Sequence, residues 1–416
     1  MNTSVRNRVL MLVATSLYPH DGRVRREATS LVAAGYQVSV ICPRYPQRAK
    51  QPWRETIDGV DVFRYPAPLR RFSVFGYIWG YIYTVVAMFL LSLYVLFRPG
   101  FDVIHIHNPP DILTFIAAFY KLLGKRFVFD HHDLAPEMFE AIFGQRFRLA
   151  HRVLVWLEQL SCRLADRVIS TNQSYKQLEI QRSGIPAKSI TIVRNGPELN
   201  LLRPVAPDPD LRQKADVIIG YVGAMGLHDG VDYLLRAIRH LIYDLNRTDF
   251  FCVLIGRGKS WDKMKSLSEQ LGLSDFVWFT GFVEHADLLR YLSTADICVA
   301  PEPSNSFNDR STFIKMTEYI AMGKPIVAFD LPEHRVTAQN AALYASPNDE
   351  LDFARKIAWL MDHPQQRQEM GQIGRQRAET ELSWSHQIKH LLSVYESFRT
   401  QMTGNYEKSQ NEIRPS

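Results

Sequence analysis

Short apolar runs alternate with amphipathic stretches along almost the whole chain, and the pattern begins twice. The first series predicts strands over 9–14, 37–42, 60–65, 103–107, 127–129, 168–171 and 190–193. The second predicts strands over 217–222, 250–255, 277–279, 297–300, 326–328 and 343–345. Parallel strands need a crossover, usually a helix, so strand–helix alternation demands α/β sheets covered on both faces. The expected fold is therefore α/β, with two doubly wound parallel-sheet (Rossmann-like) domains, 1–196 and 217–383, facing a cleft. Between them, 197–216 carries Pro204, Pro207 and Pro209 and reads as a linker. Residues 384–402 read as a last helix, and the polar stretch 403–416 as a disordered tail. Ligands of such sheets sit beyond the carboxyl ends of the strands.

Those ends carry chemistry. The first strand leads into a turn with Asp21 and a helix with Arg23. The fifth leads into Asp130-His131-His132-Asp133. Two histidines flanked by aspartates suit general acid–base work or a polar contact to a sugar. Adjacent side chains on extended backbone point to opposite sides, so this pair chelates poorly. No Cys-x-x-Cys or His-Glu-x-x-His pattern is present, and no metal is expected. One histidine should be structural and the other should face the cleft. In the second half, Gly223 and Gly226 follow the first strand, and Gly256-Arg257-Gly258-Lys259 follows the second. Glycines let backbone N–H groups approach phosphates, and Arg257 or Lys259 adds charge. Asp208-Pro209-Asp210, an acidic pair in the expected linker, reads as incidental.

The stretch 311–327 reads as a helix opened by Ser311 and Thr312 and stopped at Gly323, ahead of an apolar strand. Lys315 lies one turn in, and Glu318 follows on the same face. A helix start binds anions, so the segment offers a phosphate cradle, a cation and a carboxylate for hydroxyls. That combination fits a nucleoside diphosphate. An ordinary surface helix with a Lys–Glu pair is the alternative.

A net charge of +6 and a pI near 9.0 suit phosphates or an acidic membrane surface, without implying nucleic acid. Cys42, Cys162, Cys252 and Cys298 are far apart and read as buried free thiols in a reducing compartment. The first eight residues lack the apolar core of a signal peptide. Val74–Phe97 is a run of 24 residues without charge, bracketed by Arg70, Arg71 and Arg98. It is long enough to span a bilayer. A span would, however, divide strands of one sheet, and Trp79, Tyr77, Tyr81, Tyr83 and Tyr94 suit an interface. The expectation is a helix of the first domain, partly core and partly dipped into the membrane surface. A fully buried helix is the alternative.

The chain resembles glycosyltransferase family 4, of the bacterial polysaccharide and glycan assembly type. The resemblance covers nearly everything from Val9 to about Arg399. It is carried by Tyr18-Pro19 with Arg23-Val24, by Asp102-Val103-Ile104-His105-Ile106-His107-Asn108, and by Phe129-Asp130-His131-His132-Asp133. Arg194-Asn195-Gly196, Gly223 with Asp229-Gly230, and Thr280-Gly281-Phe282 add to it. Its strongest part is Lys315 with the run from Glu318 to Val327.

The resemblance implies the two-domain GT-B fold, with the last helix crossing back to the first domain. It implies a nucleotide-diphosphate sugar donor (a UDP-sugar favoured), retention of anomeric configuration, and no cofactor or obligatory metal. By the same resemblance Glu318 binds the ribose, and Ser311, Thr312 and Phe313 open the phosphate-cradling helix. His132 contacts the transferred sugar, and Asp21, Arg23, Asn108 and His131 belong to the acceptor side. Where the family has a first glutamate, eight residues before the second, this chain has Arg310. Where it has an Arg and a Lys near the first glycine turn of the second domain, this chain has Met225 and Asp229. The diphosphate role then falls to Arg257 and Lys315. The implied partner is a glycan or lipid-linked acceptor, at the cytoplasmic face of the plasma membrane. Two other readings stay open: a non-catalytic sugar-nucleotide or glycan-binding subunit, and a nucleotide-sugar 2-epimerase.

Overall fold

The computed structural model describes residues 8–45, 51–68 and 74–411. Arg70, Arg71, the side chain of Tyr77 and residues 412–416 of the expected tail lie outside the described residues. The chain forms two compact units, Met1–Arg194 with Gln387–Ser416, and Asn195–His386.

The first unit contains β1 (Arg8–Val13), α1 (Gly22–Ala33), β2 (Gln37–Arg44), β3 (Arg54–Ile57), β4 (Val60–Pro66), α2 (Val74–Phe97) and β5 (Val103–His107). There follow α3 (Thr114–Leu122), β6 (Arg126–His131), α4 (Ala135–Phe143), α5 (Arg148–Leu164), β7 (Arg167–Ser170), α6 (Gln173–Ser183) and β8 (Ile190–Ile192). The sheet order is β3-β4-β2-β1-β5-β6-β7-β8. All pairs are parallel except β3 with β4. That hairpin was not predicted, because β3 has no apolar run; Asp58 and Gly59, both at positive φ, turn it back. The central strands are buried on both faces, as parallel strands between helix layers must be.

The second unit contains a short α7 (Pro209–Arg212), then β9 (Val217–Val222), α8 (Val231–Tyr243), β10 (Phe250–Ile255), α9 (Trp261–Gln270), β11 (Val277–Gly281), α10 (His285–Thr294) and β12 (Ile297–Ala300). It continues with α11 (Ile314–Ala321), β13 (Ile326–Phe329), α12 (Pro332–Ala338), β14 (Ala342–Ala345), α13 (Glu350–Asp362) and α14 (Pro364–Arg377). Its sheet order, β11-β10-β9-β12-β13-β14, is parallel throughout. In both sheets the winding reverses beside the first strand: between β1 and β5, and between β9 and β12.

Two expectations need correction. The segment 197–216 is no free linker, since Leu202 and Leu211 are buried in the core of the second unit. Asp208 caps α7 by accepting from the Leu211 N–H at 2.9 Å, and its own N–H donates to Thr294 Oγ1 at 2.7 Å. Prolines straighten the backbone, but two leucines with surface to bury hold it down. The last helix, α15, runs Trp384–Asn411, so 403–411 are helical where a disordered tail was expected. From Gln387 it belongs to the first unit, where Tyr395 and Phe398 are buried.

Candidate functional site

In the second unit, the carboxyl ends of β9 and β12 meet at Tyr319 of α11. Its hydroxyl accepts from the Val222 N–H at 2.8 Å and donates to the Val299 carbonyl at 3.3 Å. Lys315, one turn earlier, is buried. Its Nζ donates to Glu302, to Tyr221 Oη at 3.0 Å and to Asp229 Oδ1 at 3.5 Å. Burial alone would lower its pKa, but Glu302 and then Tyr221 and Asp229 outweigh it, so the ammonium is held charged well above its usual range. Asp229 also accepts from the Gly226 N–H at 2.8 Å, which shapes the turn after β9. Gly223 leaves room for this arrangement, because a Cβ there would lie 3.0 Å from Lys315 Cε. A Cβ on Gly256 would fall 2.1 Å from the Gly223 carbonyl oxygen, so the turns after β9 and β10 stack backbone on backbone. Arg257, on that second turn, is exposed, with its guanidinium 5.5 Å from the Trp261 ring centre.

The start of α11 differs from expectation. Phe313 is its N-cap residue and the helix begins at Ile314. Ser311 and Thr312 do not cap it. A 3-10 turn at Asn308–Arg310 lets Ser311 Oγ donate back to the Phe307 carbonyl at 2.8 Å, and Thr312 Oγ1 donates to Glu333 at 3.3 Å. Arg310 donates to the Ser306 carbonyl at 2.8 Å. Glu318 is half-buried, three residues beyond Lys315. The structure thus gathers Gly223, Lys315 and Asp229, and adds Glu302, Tyr221 and Tyr319, which sequence reasoning missed. Glu302 had left one signal, a lone charge between prolines directly after an apolar strand.

In the first unit, the corresponding ends of β1, β5 and β6 surround Asp130. Arg23 grips its carboxylate with Nε and Nη2, each at 2.7 Å. Arg23 also donates to the Val193 carbonyl at 3.0 Å and lies 3.1 Å from Glu27 Oε1. His107 Nδ1 is 2.9 Å and His132 Nδ1 3.3 Å from Asp130 Oδ2. Burial would raise the Asp130 pKa, but Arg23 and then His132 hold it well below the carboxylate range. Burial would lower the His132 pKa, and Asp130 reverses that, so His132 is raised. Its side chain keeps 17% exposure.

Asn108 fixes the backbone beneath that imidazole. Its Oδ1 accepts from the His132 N–H at 2.8 Å and the Asp133 N–H at 3.1 Å, and its Nδ2 donates to the Asp133 carbonyl at 2.7 Å. Asn108 and Arg23 therefore position the site from inside the unit, and neither presents itself to an acceptor as expected. Asp21 caps α1 by accepting from the Arg23 and Val24 N–H groups, and its carboxylate also accepts from Ser16 Oγ at 2.5 Å. His131 points to the other side of the strand and is buried against Glu179 at 2.8 Å and Glu158 at 3.6 Å. It too is structural. All four cysteines are buried and free.

This fold is that of the GT-B glycosyltransferases. A sucrose-phosphate synthase of Thermosynechococcus elongatus is similar over 96% of this chain and 100% of its own, at 18% identity and a TM-score of 0.76. Anabaena HepE, solved in complex with UDP-glucose, is similar over 94% and 99%, at 17% identity and a TM-score of 0.69. The chain belongs to the glycosyltransferase family 4 group: residues 23–201 match the family model described as Glycosyltransferase Family 4, and residues 206–377 that described as Glycosyl transferases group 1. An uncharacterized glycosyltransferase of Methanocaldococcus jannaschii is 26% identical over 321 residues, 72% of this chain and 73% of its own.

Proposed function

We propose that this glycosyltransferase takes a sugar from a UDP-sugar, with retention and without a metal on the diphosphate, and passes it to a glycan or lipid-linked acceptor in cell-surface polysaccharide assembly. The observation that carries the donor assignment is α11 at the winding reversal of the second sheet. There Lys315 and Glu318 stand one turn apart beside the glycine turns after β9 and β10. In this reading Glu318 takes the ribose hydroxyls, while Lys315, Arg257 and the backbone at Gly223 receive the diphosphate. His132, steadied by Asp130 and Asn108, orients the transferred sugar. A UDP-glucose complex in a protein of the same fold supports the donor class.

The acceptor class rests on α2. Met88, Ser92 and Val95 are buried, so this face packs within the unit, where Ser92 Oγ meets Tyr120 Oη at 2.7 Å. The opposite face exposes Trp79, Ile82, Val86, Leu90 and Phe97 at helical spacing. Only 22% of the apolar window Trp79–Phe97 is buried, far less than a core helix would show. The exposed apolar surface continues through Phe89 against Phe119 (5.1 Å) and Phe115 against Trp156 (6.3 Å), with exposed Arg148 and Arg152 on α5. This supports a monotopic seat on the anionic inner face of the plasma membrane.

Calorimetry with a panel of UDP-, GDP- and dTDP-sugars, followed by hydrolysis of the best binder, tests the donor. One UDP-sugar should bind and be hydrolysed slowly. Binding without any turnover, on any acceptor, would favour the non-catalytic reading. That reading has one observation of its own: the cation expected to meet the diphosphate is held between two carboxylates.

A further inference from the structure

We propose that His105, His107 and Glu27 form a binding site for a transition-metal dication of the zinc type inside the first unit, independent of the donor reaction. Residues two apart on a strand share a face, and His105-Ile106-His107 stacks two imidazoles on β5, their ring centres 4.3 Å apart and their planes 26° from parallel. Their Nε2 atoms lie 3.8 and 3.9 Å from Oε2 of Glu27, on α1. All three side chains are at most 1% exposed. Neither Nε2 has a hydrogen-bond partner, nor does Glu27 Oε2, while Glu27 Oε1 is engaged by Arg23 Nη2 at 3.1 Å. Buried polar atoms are nearly always satisfied, so three orphaned atoms gathered around Glu27 Oε2 imply something that joins them.

The outer ends of both rings are already fixed. His105 Nδ1 meets Tyr395 Oη at 2.7 Å, and His107 Nδ1 meets Asp130 Oδ2 at 2.9 Å. An N–H at Nδ1 leaves the lone pair on Nε2, and such outer partners are how metal-bound histidines are oriented. Ligand atoms about 2.1 Å from a tetrahedral zinc stand about 3.4 Å apart, so the two histidine–Glu27 pairs need to close by only about half an ångström. Two imidazoles and a carboxylate suit zinc-class ions better than magnesium or calcium. Asp130 lies in the same cluster, but the Arg23 fork engages both its oxygens, so it supports His107 and does not bind the metal. The ion would join α1 to β5 and, through Tyr395, brace α15.

Cobalt titration of the metal-stripped full-length chain, read by visible absorption, tests this. About one cobalt per chain should bind and give the intense bands of a low-coordinate site, and zinc should displace it and raise the melting temperature. Glu27→Gln should abolish the bands. Tyr395→Phe, which keeps the packing and removes only the outer hydrogen bond, should weaken binding roughly 10- to 100-fold. That variant decides the matter if Glu27→Gln does not fold. No uptake by the parent would overturn the proposal and leave a buried water as the group that joins these atoms. Cobalt bands unchanged in Tyr395→Phe and Glu27→Gln would place the metal on other histidines and overturn it equally.

Discussion

Each unit holds one buried cation between two carboxylates where its sheet reverses its winding. Arg23 sits between Asp130 and Glu27, and Lys315 between Glu302 and Asp229. The two are not equivalent. Arg23 is a planar fork whose donors meet Asp130, Glu27 and the Val193 carbonyl, which fixes its plane. Lys315 is a point charge on a flexible stem, beside a glycine that gives it room. The first arrangement suits a support that must not move. The second suits a cation that can exchange one anionic partner for another, as the proposed diphosphate role requires.

The largest effect should come from deleting either cation. Arg23→Met and Lys315→Met each strand two buried carboxylates and should cost about 3–5 kcal/mol in denaturant unfolding. The comparison sharpens with conservative changes. Arg23→Lys should recover little, because the fork is lost, whereas Glu302→Gln should relieve much of the damage in Lys315→Met. Equal rescue in both units would mean that the fork and the point charge are equivalent.

Next comes His132→Ala. It should lower turnover roughly a hundredfold while nucleotide affinity stays near that of the parent. A matching loss of affinity in calorimetry would move His132 out of the sugar-orienting role. Glu318→Ala should show the reverse pattern. Losing a charged hydrogen bond of about 1.5–3 kcal/mol weakens nucleotide binding tenfold or more. Unchanged binding would detach the ribose from α11.

A smaller effect should appear in flotation with liposomes. Adding anionic lipid should increase association, each basic residue near the surface adding about 1 kcal/mol, and salt should release part of it. Trp79→Ser with Leu90→Ser should reduce the salt-resistant part. Retention of full binding would assign the exposed face of α2 to something other than lipid.

The last effect is a pH dependence on the far side of the first sheet. Burial would lower the His131 pKa, but hydrogen bonds and charge from Glu158 and Glu179 raise it well above the ordinary histidine value. Burial would raise Glu158, but His131 and Arg182 outweigh it and hold it down, while Glu179, without that arginine, is pushed up by burial. A raised histidine contributes fully below its unfolded pKa and loses its contribution as pH rises through the folded one. The stability gap between the parent and His131→Asn should therefore narrow with rising pH in denaturant unfolding. A gap that widens would mean that His131 is neutral in the folded state.

Periodicity made the sheets legible: each predicted strand coincides with one in the structure, because a strand covered on both faces must be apolar. What stayed hidden was whatever depends on partners distant in sequence. β3 is an edge strand with alternating exposure, although Asp58-Gly59 marked its turn. Arg23 and Asn108 read as acceptor-side groups, but Asp130 and the His132 backbone claim them. Lys315 read as open to ligand, because Glu302 and Asp229 reach it only through the winding of the sheet. The adjacent His131-His132 pair reads as a poor chelator because its side chains point apart, whereas the alternate pair, His105 and His107, shares a face.

The chain leaves its first unit at Arg194 and re-enters it at Gln387. During synthesis, everything the second unit needs has therefore been made before Tyr395 is joined on. Domains generally fold as units as they emerge. The later-encoded unit is thus the earlier one to be completed, and the first waits with His105 lacking its hydroxyl partner until the final helix is added. A premature stop shortly after His386 would spare the second unit and cripple the unit translated first.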